Sequence, residues 1–258
     1  MHNYILVTND DGVTAPGLFA LKCALEKIAR VIVVAPDRNW SMAGHAKTMH
    51  KPLRVQSVAL RDGASAFALD GAPSDCVALV MLGLLDEKPA LVVSGINPRA
   101  NVAQDLTYSG TVAAAMEGAI NGVPSLAVSI DGDHDDGIDF SHAADYTARI
   151  ARRVLENGLP KDTLLNINVP IVSRDEIRGV RITRLGNRIY RDALVARQDP
   201  QGRDYYWIGG QPPTGVAEEQ GTDIWALAHR YVSITPVHLD MTSHALIDPL
   251  REWENNLR

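Results

Sequence analysis

Five short β-branched runs separated by helical patterns constrain this chain most, because few folds can cover so many apolar strands. The runs are Tyr4–Thr8 and residues 31–35, 91–94, 125–129 and 164–169. Several are apolar almost throughout, as strands covered on both faces are. Between the first two, Pro16 suits a first helical turn, and Leu18, Leu21, Leu25 and Ile28 share one stripe. Further helices are predicted over 74–85, from Ser109 to Gly122 with Pro124 beyond, and from a capping Ser141 to Gly158. On the last of these, Ile150 and Val154 share a face. Strand–helix–strand units of this length imply right-handed crossovers and a mainly parallel sheet. The expectation is an α/β fold with a Rossmann-like three-layer αβα core.

After about Val169 the pattern changes. Residues 180–185 and 188–192 read as strands around Gly186-Asn187, and 204–208 as another. Residues 200–221 are rich in Gly, Pro and Gln and cannot form a core of their own. This is a C-terminal β-hairpin extension, and arms of that kind pair with another subunit. Strand character returns over 231–236, and 247–257 is predicted to be a short helix. The reading is one domain over 1–258: a core over about 1–170, then from about 171 an arm and C-terminal segment used in oligomerisation.

A length of 258 residues allows a substantial core, and a formal charge of −6 argues against a nucleic-acid polymer as partner. A small phosphorylated ligand remains compatible, because one local cation overrides the global sign. Cys23 and Cys76 lack ligand spacing and read as buried, reduced thiols. No stretch approaches the roughly 20 apolar residues of a membrane span, and no signal segment is recognisable at the start. A cytoplasmic protein without a membrane partner is expected.

The strand ends carry the chemistry. Asn9, Asp10 and Asp11 follow the first strand and are closed off by Gly12. Asp37, Arg38, Asn39 and Ser41 follow the second; Gly95-Ile96-Asn97 closes the third, whose loop continues to Asn101 and Asp105. In a parallel sheet these ends share one edge, where ligands of such folds bind. Adjacent carboxylates repel each other unless a cation or proton lies between them, so a hard divalent metal is the natural partner. Ser109-Gly110-Thr111 opens a helix with free amides and hydroxyls, an anion site most often used for phosphate. A hard metal beside a phosphate cradle is suited to phosphoryl transfer to water.

Competing motifs fail. There is no Gly-x-Gly-x-x-Gly after the first strand, no P-loop and no Gly-x-Ser-x-Gly elbow. The acidic run over 131–137 has Asp136 and His142 where an EF-hand needs Gly and Glu, so it reads as a solvated loop. His45 and His50 are candidates only for the rim of the site.

Taken together, these segments resemble the SurE family of survival proteins, nucleoside 5′-monophosphate phosphatases. The resemblance rests on residues 5–12, the Ala35-Pro36-Asp37-Arg38-Asn39 turn with Ser41, and Gly71-Ala72-Pro73-Ser74-Asp75-Cys76-Val77. It continues through Ser94-Gly95-Ile96-Asn97, Tyr108-Ser109-Gly110-Thr111-Val112, Thr222-Asp223 and residues 231–236. It implies one divalent cation per subunit, Mg²⁺ or Mn²⁺, on Asp10, Asp11, Ser41 and Asn97, with Asp10 and Asp11 catalytic. Asn9, Asn101, Ser109, Gly110 and Thr111 would serve the substrate and its phosphate. The family forms dimers and tetramers with exchanged C-terminal arms. It usually has glycine where this chain has Met42, Arg99 and Ala103.

The implied reaction is hydrolysis of a nucleoside 5′-monophosphate to nucleoside and phosphate. A broader phosphomonoesterase, a short-chain exopolyphosphatase and a non-catalytic nucleotide sensor remain alternatives. The haloacid-dehalogenase type wants Asp-x-Asp, whereas this chain has Asp-Asp. Whether an aspartate acts as base or nucleophile stays open.

Overall fold

A computed structural model describes residues 4–132, 137–254 and 257. In chain order the elements are β1 (Tyr4–Thr8), α1 (Pro16–Leu25), β2 (Arg30–Pro36), β3 (Val55–Ala59), β4 (Ser65–Leu69) and α2 (Pro73–Leu79). Next come β5 (Leu91–Asn97), α3 (Gly110–Ile120), β6 (Ser125–Asp131), α4 (Ser141–Asn157), β7 (Thr163–Pro170) and β8 (Val180–Ile182). The chain closes with β9 (Arg188–Gln198), β10 (Asp204–Gly215), α5 (Asp223–Ala228), β11 (Val232–His238) and α6 (His244–Glu254). The solvated-loop reading of the acidic run falls largely outside the described residues.

Nine strands form one sheet in the order β3-β4-β2-β1-β5-β6-β7-β11-β8. From β4 to β7 every neighbouring pair is parallel, while β3 and β11 run antiparallel to β4 and β7. Alternation along β1 explains the layers. Ile5 and Val7 pack with Leu18, Leu21 and Leu25 of α1 and Ala143, Ala151 and Val154 of α4. Tyr4 and Leu6 face the other way, toward Cys76 and Val77 of α2 and Ala114 of α3. The three-layer α/β expectation holds, and so does the hairpin extension, since β9 and β10 form a separate two-stranded sheet.

Several local expectations need correction. The helix expected over 74–85 leaves α geometry after Leu79, in a π turn over Val80–Leu84 where Gly83 takes φ 111°. Phe140, not Ser141, precedes the first turn of α4, and it makes no side-chain cap. Ser141 instead donates its amide to Asp139. The strands flanking Gly186-Asn187 do not pair: β8 joins β11, and β9 pairs with β10. Cys76 is buried but Cys23 is partly exposed. The β3–β4 hairpin and α5 had no clear signal, being short and, for β3 and β4, poor in large apolar residues. No helix among the described residues is long and apolar enough to cross a membrane.

Candidate active site at the carboxyl edge of the sheet

Connections leave β1 toward β2 on one side and reach β5 on the other, so a crevice opens where β1 and β5 end. Register brings Val7 opposite Val33 and Val93, and Thr8 opposite Ser94. Residues 9–11, the segment after Pro36 and Asn97 therefore emerge side by side. Gly12 closes the first turn at φ 105°, and a Cβ there would lie 3.2 Å from the Arg38 carbonyl carbon. Asn9 is fully buried and holds this turn, accepting the Gly12 amide (3.2 Å) and donating to the Gly12 carbonyl (3.0 Å). The Asp10 carbonyl accepts the Trp40 amide at 2.7 Å, which draws the segment carrying Ser41 toward the acidic pair. Asn39 shapes that segment by accepting the Ser41 amide at 2.7 Å.

The start of α3 meets Asp10 directly. Thr111 donates its hydroxyl to Asp10 Oδ1 at 2.6 Å across 101 residues of chain. Gly110 permits this approach, because a Cβ there would sit 2.8 Å from Asp10 Cβ and 3.0 Å from Oδ2. Burial pushes the Asp10 carboxyl above the ordinary carboxylate range, while the Thr111 hydroxyl and amide pull the other way. Ser109 caps the helix by accepting the Val112 amide at 3.1 Å. Of the first-turn donors, the Gly110 amide is thus the one left for a ligand.

Asn97 donates its amide nitrogen to the Arg99 carbonyl at 2.6 Å, which leaves its oxygen uncommitted to that bond. Asp11 is half-buried in the same turn as Asp10, and Ser41 is exposed. Asn101 is a node of a buried network. Its amide donates to Asn168, its carbonyl accepts from Asn166 and Asn168, and its side chain donates to Ser129. Sequence reasoning missed Asn166 and Asn168, although two Asn at alternate positions of an apolar strand were a readable signal.

Residues 42–48 cross from the Ser41 segment to α3 and α2. Gly44 donates its amide to the Tyr108 carbonyl (3.0 Å) and Thr48 to Asp75 (2.9 Å). His45 and Lys47 reach the buried Glu117 of α3 at 3.2 and 2.8 Å, so His45 serves as a tether and His50 stays exposed. Burial raises the Glu117 carboxyl, but the His45 and Lys47 bonds outweigh it and hold the group below its ordinary value. Its stabilising contribution is therefore full above the ordinary value and is lost as pH falls through the lowered one. Glu117→Gln should lower stability at neutral pH by about 1–3 kcal/mol and flatten the acid limb of a melting-temperature profile. An unchanged acid limb would count against the tether.

Two of the three missing glycines have a structural consequence. Met42 and Ala103 hold φ of 64° and 50°, the left-handed region in which glycine carries no Cβ penalty. Arg99 is outside that region. Met42→Gly and Ala103→Gly are each expected to stabilise the fold by about 0.5 kcal/mol, the relief being partly offset by the freer unfolded chain. Denaturant unfolding of each variant checks this. Elsewhere Cys23, Glu26 and Asp62 lie close enough to share a metal, but the Lys22 ammonium already bonds both carboxylates.

A doubly wound sheet with an acidic turn at its switch point, set against a helix N-terminus, places this chain among the open α/β proteins, a class whose ligands bind at the strand ends. Comparison with known families then specifies it: residues 5–192 match the model of "Survival protein SurE", and the chain belongs to the SurE family. A protein of Chloroflexus aggregans named 5′-nucleotidase SurE is 55% identical over 251 residues, covering 97% of this chain and 99% of its own. One of the same name from Herpetosiphon aurantiacus is 55% identical over 253 residues, with 97% and 99% coverage. The crystal structure of the SurE protein from Aquifex aeolicus superposes with a TM-score of 0.82 at 40% identity, over 97% of this chain and 99% of that one.

Proposed function

We propose that this protein is a metal-dependent phosphatase that hydrolyses nucleoside 5′-monophosphates to nucleoside and phosphate. The observation that carries the reading is the double engagement of Asp10. Its carboxylate is held by Thr111 at the start of α3, and its carbonyl by the amide next to Ser41. On this reading the segments that would bind the cation and the phosphate both reach Asp10. The names of the relatives point to the same chemistry.

The donor set fits one hard divalent cation, Mg²⁺ or Mn²⁺: carboxylates of Asp10 and Asp11, the Ser41 hydroxyl and the Asn97 amide oxygen. A buried carboxyl pushed toward protonation, as Asp10 is, regains its charge beside a cation. When bound, the ion supplies polarisation of a phosphate oxygen and a more acidic water. The chain's own part is orientation. Thr111 fixes the Asp10 carboxylate, and Asn9 holds the turn that presents Asp10 and Asp11. The Gly110 amide, the Ser109 hydroxyl and the second N–H of the Asn101 side chain are the phosphate donors, acting where charge develops in the transition state.

The β9–β10 arm is read as an oligomerisation element, used by a dimer or tetramer with exchanged arms. Leu194, Trp207 and Ile208 are 72%, 63% and 87% exposed, and a two-stranded hairpin gains little stability alone. Sedimentation equilibrium checks this. The catalytic reading is tested by phosphate release from a panel of nucleoside 5′- and 3′-monophosphates and short polyphosphate, with chelator and with each divalent ion. Release that is chelator-resistant, or absent from every 5′-monophosphate, would overturn it.

A further inference from the structure

Two carboxylates outside the proposed site both act on the short 3₁₀ helix Ala103–Thr107, which leads into Ser109, Gly110 and Thr111. Asp223 is fully buried at the first position of α5. Its Oδ2 accepts the Ala103 amide, and its Oδ1 accepts the amides of Gly186 and Ile224, all at 2.8 Å. Asp105 accepts the Tyr190 hydroxyl at 2.6 Å and Arg188 Nε at 2.7 Å, both from the first residues of β9. Gln104 adds a third tie by accepting the Arg188 amide at 2.9 Å. The 3₁₀ helix is therefore held on one side by α5 and on the other by the root of the arm.

What this turn carries matters. Tyr108 donates its amide to Asp105 at 3.0 Å, and its carbonyl takes the Gly44 amide from the Ser41 segment. Tyr108 then hands the chain to the Ser109 cap of α3. A shift of the turn would move the phosphate donors, while the acidic residues after β1 stay anchored in the sheet by the register of β1 with β2 and β5.

We propose that Asp223 and Asp105 are positioning residues that fasten the phosphate-binding turn to the root of the β9–β10 arm, so that affinity for a phosphate group depends on how that root is held. This deepens the phosphatase reading and rests on it. Burial pushes the Asp223 carboxyl upward and the three amides oppose that, as expected of a carboxylate kept in place for its acceptor geometry. The Tyr190 hydroxyl is pushed up to about 12 by burial and the adjacent Asp105.

The test uses the full chain with Asp223→Asn, and separately Arg188→Gln combined with Tyr190→Phe. An Asn at 223 keeps one acceptor for Gly186 and Ile224 but turns an NH₂ toward the Ala103 amide, cutting one tie. Expected for Asp223→Asn, which loses one bond, is a rise of about tenfold in KM for a nucleoside 5′-monophosphate and in the inhibition constant of inorganic phosphate. At least as large a rise is expected for the arm-root variant, which loses two. Any rise in the Mn²⁺ concentration for half-activity should be smaller than the rise in KM, because the turn that carries Asp10 and Asp11 stays on β1 while only Thr111 and the Ser41 segment are tied to the shifted residues. Folded variants with wild-type KM and phosphate inhibition would overturn the proposal, as would a fall in melting temperature with no change in either. Should Asp223→Asn fail to fold, the arm-root variant decides, because its residues are partly exposed. Should the wild type hydrolyse no monophosphate, the phosphatase reading fails instead. Amide hydrogen exchange over residues 103–111 then decides the fastening: faster exchange in the variants supports it and unchanged exchange overturns it.

Discussion

Asp10→Asn is expected to lower phosphate release from a nucleoside 5′-monophosphate at least about a thousandfold, because a cation-held charge supplies several kcal/mol and each 1.36 kcal/mol is tenfold. The fold should survive. An amide oxygen can still accept the Thr111 hydroxyl, and the shape beside Gly110 is unchanged. Replacing a buried carboxylate by a neutral isostere removes a desolvation cost, so the melting temperature without metal should hold or rise. Stabilisation by added Mn²⁺ should shrink, since an ion that binds the native state less tightly shifts unfolding less. Normal turnover of Asp10→Asn at saturating Mn²⁺ would refute the assignment of this residue.

Gly110→Ala is the second large effect. The added methyl would lie 2.8 Å from Asp10 Cβ and 3.0 Å from Oδ2, so either the carboxylate or the start of α3 must move. Overpacking of this kind costs about 1–3 kcal/mol, partly offset by the roughly 1 kcal/mol that alanine gains over glycine in a helix. Activity should suffer more than stability. A displacement on the order of 1 Å at the reacting groups costs about a hundredfold in rate. Calorimetry and steady-state kinetics on the same preparation separate the two, and a variant with full activity would show that the close approach of α3 to Asp10 is dispensable.

Much of the core could be read in advance because its strands are buried on both faces. Such strands are mostly apolar, and β1, β2, β5, β6 and β7 all appear near their predicted places. Elements that settle against an existing surface were less readable. β3 carries Gln56 and Ser57 on an edge of the sheet, and α5 is only six residues long. Gly186-Asn187 reads as a local turn between two strands, which leaves the partners of those strands undetermined. Gly186 instead donates its amide to Asp223, and that contact spans 37 residues. His45 looked like a rim residue until its carboxylate partner, Glu117, was located 72 positions away.

The residue types at the strand ends, the glycines that permit sharp turns and the alternation of elements are local properties, and the order of residues determined them. They sufficed for the layer architecture and for gathering the polar residues at the ends of β1, β2 and β5, with the start of α3, at one sheet edge. The narrower set Asp10, Asp11, Ser41 and Asn97 came from the resemblance to the SurE family. Tertiary structure alone decided the commitments among them. The Thr111 hydroxyl is turned on Asp10, Asn101 is bound into the Asn166–Asn168 network, and Asp223 grips the turn before α3. Buried polar groups must find partners wherever the fold brings a donor within reach, and that reach is a property of packed strands and helices, not of distance along the chain.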